Sequence, residues 1–74
     1  MALLSKEEKI QVINSHKRNL EYRKYALELD VLVENAKTTP NSSAVNGFQS
    51  SILEIDNQVA ALNEELATVN ALEE

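Results

Sequence analysis

His16-Lys17-Arg18, with Arg23 and Lys24 one to two helical turns further on, is the one basic cluster in this chain of 74 residues. Cations spaced in that way on a helix suit phosphate contacts. A basic helix, a loop and a heptad-patterned helix also follow one another in basic helix-loop-helix proteins. The footprint is thin, because Glu21 interrupts it and the chain carries a net charge of −5. Tyr22 and Tyr25 offer stacking surfaces or interface anchors, but their place in a heptad stripe favours helix–helix packing. Glu54 with Asp56, and Glu64 with Glu65, are the nearest approach to paired carboxylates. Neighbours one or two apart on a helix do not face a common point, so they make a poor acid–base pair. His16 is the only histidine and there is no cysteine. No nucleophilic triad and no structural metal site is therefore expected, and no cofactor.

What remains is packing. Taken in steps of three and four, Val45, Phe48, Ile52, Ile55, Val59, Leu62, Leu66 and Val69 form an unbroken apolar stripe. A stripe of that period is buried along the side of another helix. Leu53, Ala60 and Ala67 form a smaller flank beside it. The neighbouring sites are mostly uncharged (Gln49, Asn63, Asn70, Ala44, Ser51 and Gln58 against Asp56 and Glu65), so they do little to choose a partner. Gly47 falls on the outer side as a tolerated defect.

The first half of the chain reads as a second helix. Ser5-Lys6-Glu7-Glu8 has the form of a capping box, and no Gly or Pro follows before Pro40. This helix carries two apolar stripes on nearly opposite sides. One is Ile10, Ile13, Leu20, Leu27 and Val31, with the stems of Lys17 and Lys24 filling the gaps. The other is Tyr22, Tyr25, Leu29, Leu32 and Ala36, widened by Ala26 and Val33. A helix apolar on two sides is packed on two sides. With the turn centred near Pro40, Phe48, Ile52 and Ile55 lie alongside Leu32, Leu29 and Tyr25. The tyrosine stripe is accordingly assigned to the hairpin seam. Ile10, Ile13, Leu20, Leu27 and Val31 are left as the partner interface.

Pro40 ends the first helix and suits the first position of the next, with Thr39 as N-cap and Ser42 or Ser43 as alternatives. The expected architecture is a single all-α domain spanning 1–74. It is an antiparallel two-helix hairpin with heptad packing: helix over 6–37, turn over 38–41, helix over 41–72. A chain this short supplies only ~3–5 kcal/mol of core stability without staples, so the hairpin is expected to be part of an oligomeric helical bundle.

Charge is uneven. Residues 1–24 hold six basic and three acidic side chains, and residues 25–74 hold one basic and nine acidic. Folding back sets the acidic end (Glu64, Glu65, Glu73, Glu74) beside the basic half. No apolar run approaches the ~20 residues of a membrane span. Met1-Ala2-Leu3-Leu4 is too short for a signal peptide's core. The expected location is cytoplasmic or virion-associated, without secretion by a signal peptide, and Asn41-Ser42-Ser43 is then an empty glycosylation match.

The segments Glu8-Lys9-Ile10, Arg18-Asn19-Leu20-Glu21-Tyr22-Arg23-Lys24-Tyr25 and Ile55-Asp56-Asn57-Gln58-Val59-Ala60-Ala61-Leu62 resemble small uncharacterised helical proteins of tailed bacteriophages. The resemblance spans most of the chain and implies a phage setting, with no activity or site attached. The reading is a non-catalytic structural or assembly protein acting through helix–helix packing, its partner a second copy or a larger protein assembly. The alternative is a small regulatory adaptor or inhibitor docking a helix on a host protein. A helix-loop-helix nucleic-acid binder ranks third; nucleic acid and membrane are not expected partners.

The stripe makes a sharp prediction. Ile55→Asp or Leu62→Asp puts a charge into the middle of the seam and should abolish the cooperative melting transition followed by circular dichroism. Asn57→Asp, on the opposite side of the same helix, should leave it nearly unchanged; equal effects would mean the register is wrong.

Overall fold

A computed structural model describes residues 3–73. Two helices, α1 (Lys6–Asn35) and α2 (Ser42–Asn70), pack against each other as a hairpin, and no strand occurs among the described residues. The molecule is a rod of 58 × 17 × 15 Å. Its radius of gyration is 17.1 Å, against about 11 Å for a compact domain of this length.

The start of α1 follows from its capping box. Ser5 Oγ accepts from the Glu8 N–H at 3.1 Å, and the Ser5 N–H donates to Glu8 Oε1 at 3.0 Å. That second bond holds the Glu8 carboxyl below its ordinary pKa, with the Ser5 hydroxyl adding to the effect. Both helices stop short of the expected ends, at Asn35 and Asn70. The N-cap of α2 is neither Thr39 nor a serine but Asn41. Its side chain accepts from the Ala44 N–H at 3.2 Å, and Asn is among the strongest N-cap residues. Pro40 consequently lies in the turn, ahead of the helix. Gly47 has nothing within 4 Å of where a Cβ would sit, so it is an outward defect.

Glu34, which the sequence pattern did not single out, closes the turn. It continues the first stripe three positions after Val31 and is buried at 8% exposure. Its Oε2 accepts from the Asn41 N–H and its Oε1 from Lys37 Nζ, both at 3.0 Å. The carboxylate thus spans the connection and fixes the residue that caps α2. A carboxylate near a helix C-terminus opposes the helix dipole; here a lysine and a backbone N–H compensate it.

The two helices run antiparallel with a steady register. Lys6 Nζ donates to the Leu72 carbonyl at 3.1 Å, Lys24 Nζ lies 2.7 Å from Asp56 Oδ1, and Glu34 meets Asn41. Leu20 therefore lies near Gln58 and Leu62, and Leu27 near Ser51 and Ile55. On α2, Ile55 and Val69 are buried, while Val45, Phe48, Ile52, Val59, Leu62 and Leu66 are half-buried. The facing side of α1 is the first stripe: Ile13 is buried, and Ile10, Lys17, Leu20, Lys24, Leu27 and Val31 are half-buried.

This reverses the seam assignment made from sequence. Ile10, Ile13, Leu20, Leu27 and Val31 pack on α2, whereas Tyr22, Tyr25, Leu29 and Leu32 stand exposed. The physical reason is length. The first stripe runs the whole of α1, from Lys6 to Glu34, and can cover the α2 stripe from end to end. The tyrosine stripe begins at Tyr22 and would leave Leu62, Leu66 and Val69 facing polar side chains.

The Glu34 clamp carries a pH signature. Its carboxyl is held below the ordinary 4.5, first by the Asn41 N–H and then by Lys37. A carboxyl whose folded pKa is lowered contributes stability above its unfolded value, and that stability is lost as pH falls through the folded one. The melting temperature should therefore fall on acidification below about pH 4.5. Glu34→Gln should melt lower at neutral pH and show a shallower acid dependence, with Glu8 leaving a residual slope. An unchanged slope in a thermal titration from pH 6 to pH 2 would show the clamp to be inert.

Candidate functional site

The side chains with chemical potential are scattered or already engaged. His16 is exposed and its Nδ1 lies 3.1 Å from the Val12 carbonyl, one turn back on the same helix. Lys17 is half-buried on the side of α1 that faces α2. Lys24 is tied to Asp56, which raises its pKa through the hydrogen bond and the charge of that carboxylate. Arg18 stacks over the Tyr22 ring, 5.0 Å from its centroid, with Glu21 at 4.0 Å. Arg23 is exposed and lines a groove together with His16, whereas Lys24 faces α2 and Arg18 lies on the outer surface, so the cluster does not share one face.

The carboxylates do not converge either. Asp56 faces Lys24, while Glu54, Glu64 and Glu65 are exposed along α2. Among the described residues, no three His, Cys, Asp or Glu side chains gather closely enough to hold a metal ion. No helix among the described residues is long and apolar enough to cross a membrane. Glu74, one of the acids expected beside the basic half, lies outside the described residues, as do Met1 and Ala2.

What does converge is the apolar face of α1 that points away from α2. Tyr22 and Tyr25 are each 62% exposed, Leu32 66%, Val33 63% and Leu29 41%. Ala26 is exposed on the same side, and so is Ala36, the C-cap residue directly after α1. At 100° per residue, all seven positions lie within about 60° of Leu29, nearly opposite the buried stripe. Exposed apolar residues standing singly are ordinary, and Val12 and Leu53 are of that kind. A contiguous run over four turns is different, because large apolar patches mark interaction surfaces. Arg18 extends the face at its N-terminal end, its guanidinium lying over the first tyrosine.

The remaining contact between helices is thin. Among the described residues no side chain is fully buried, and the accessible surface is 5646 Å², against about 4,600 Å² for a compact monomer of this mass. The excess reflects both the rod shape and the uncovered face of α1.

Comparison with protein-family models, with curated proteins and with solved structures finds no match.

The two stripes of α1 predict opposite outcomes for substitution. Leu20→Glu with Leu27→Glu should destroy the hairpin, because both side chains pack on α2. The loss expected is several kcal/mol, as for other charges forced into apolar contacts. Tyr22→Ser with Leu32→Gln should change the helicity of dilute protein little, within about 0.5 kcal/mol, as for exposed sites elsewhere. Circular dichroism with urea titration compares them; equal destabilisation would mean that both stripes contact α2.

Proposed function

We propose that this protein is a non-catalytic assembly component that acts by packing its helices against other helices, and that it self-associates. The observation that carries the reading is the uncovered apolar face of α1, Tyr22 to Ala36, on a hairpin in which Ile13, Ile55 and Val69 are the buried apolar side chains among the described residues. A small domain with no cysteine and no metal-ligand cluster among its described residues has neither kind of staple. Burial of further apolar surface by association is the remaining source of stability. Ionisable side chains are engaged within the hairpin: Lys24 with Asp56, Glu8 at the α1 cap, Glu34 at the turn. The resemblance to small helical phage proteins fits this reading and suggests a virion or an assembly intermediate as the setting.

Association makes stability depend on concentration. Sedimentation equilibrium should show species larger than the monomer at micromolar concentration. The melting temperature should rise across a hundredfold increase in protein. A stably folded monomer whose melting point ignores concentration would overturn the proposal.

A further inference from the structure

The apolar face of α1 has an internal symmetry. Counting from Leu29, its other members stand at three positions on either side (Ala26 and Leu32), four (Tyr25 and Val33) and seven (Tyr22 and Ala36). Such a pattern reads the same in both chain directions. A surface of this kind is complementary to itself under a two-fold axis that passes by Leu29 at right angles to the helix. Each pair also joins a larger residue to a smaller one. Tyr22 comes level with Ala36 of the other copy, Tyr25 with Val33, and Leu32 with Ala26, so bulk on one copy meets space on the other.

Charge favours the same pairing. α1 holds six basic and six acidic residues and is neutral overall, whereas α2 holds four acids and no base. Two α1 faces can approach without net repulsion, and the arrangement keeps the two acidic α2 helices on opposite outer sides. Contact through α2 would instead bring the acidic helices together.

We infer that the face Tyr22–Ala36 binds a second copy of this chain, antiparallel, about a two-fold axis at Leu29. This rests on the self-association proposed above and gives it a surface and a symmetry. The apolar area available is on the order of 500 Å² per copy, near the lower bound for a specific interface. The dimer joins two hairpins into a four-helix unit with the α1 helices inside.

Cysteine cross-linking tests the axis, since the native chain has no thiol. Leu29→Cys should form a disulfide dimer on mild oxidation, because the two copies of that position meet at the axis. Tyr22→Cys should not link to itself, its two copies being roughly 21 Å apart along the helix at 1.5 Å per residue. It should link to Ala36→Cys when the two variants are mixed. Leu53→Cys, on the outer side of α2, should remain a thiol. Leu29→Glu, and independently Leu32→Glu, should weaken association at least tenfold in sedimentation while helicity is retained. Tyr22→Cys linking to itself, or Leu53→Cys linking as readily as Leu29→Cys, would overturn the two-fold contact while leaving self-association intact. A native chain that stays monomeric throughout would overturn both.

Discussion

Two straight helices can touch along one line only. Everything else in this molecule follows from how that line is used, because α1 is apolar on two sides and α2 covers one of them. The contact selects the stripe of α1 that runs its full length, even though two lysines interrupt it. Lys17 and Lys24 are tolerated there because a lysine can lay its aliphatic stem on apolar surface while its ammonium reaches water or a carboxylate. Lys24 reaches Asp56. The richer but shorter tyrosine stripe is left outside. Continuity of contact along the rod outweighs local hydrophobicity, since a half-length stripe would strand the far end of α2 against polar groups.

The ends of the rod are held by polar contacts that the apolar pattern does not announce. At one end the capping box of Ser5 and Glu8 starts α1, and Lys6 reaches across to the carbonyl of Leu72, near the C-terminus of α2, where positive charge is favoured. At the other end a single carboxylate, Glu34, organises the turn by accepting from Asn41 and Lys37. The turn has no glycine and no positive φ, so its closure depends on these hydrogen bonds rather than on a special backbone conformation. Lys24–Asp56 lies between the two ends and is partly exposed. A pair of that kind orients the hairpin more than it stabilises it.

A hairpin held in this way is a scaffold with one face left open. The open face is on α1, it is apolar over four turns, and it is carried by the helix whose charges balance. These three properties coincide on one surface, while α2 presents acids to solvent. The basic side chains and the carboxylates that the residue types single out do not all converge on one point, and Lys24 is paired with Asp56.

Local order was legible in the sequence. Ser5 and Glu8 announce the start of α1, the absence of Gly and Pro carries it to the region before Pro40, and the three-four spacing from Val45 to Val69 marks the buried side of α2. Each depends on residues close in the chain, where helix geometry converts spacing directly into position. The antiparallel register was legible too, because a short connection leaves little freedom. The sequence did not decide which side of α1 faces α2, because rotation of a helix about its axis leaves spacing and register unchanged. Only contact along the whole length of both helices separates the two orientations. Nor did the pattern reveal Glu34 or Asn41 as the turn's fixed points. A glutamate that continues an apolar stripe looks like an interruption until the chain folds back and brings the Asn41 N–H to its carboxylate. Stripes belong to single helices and can be read one at a time; the choice between them belongs to the pair, and the tertiary structure made it.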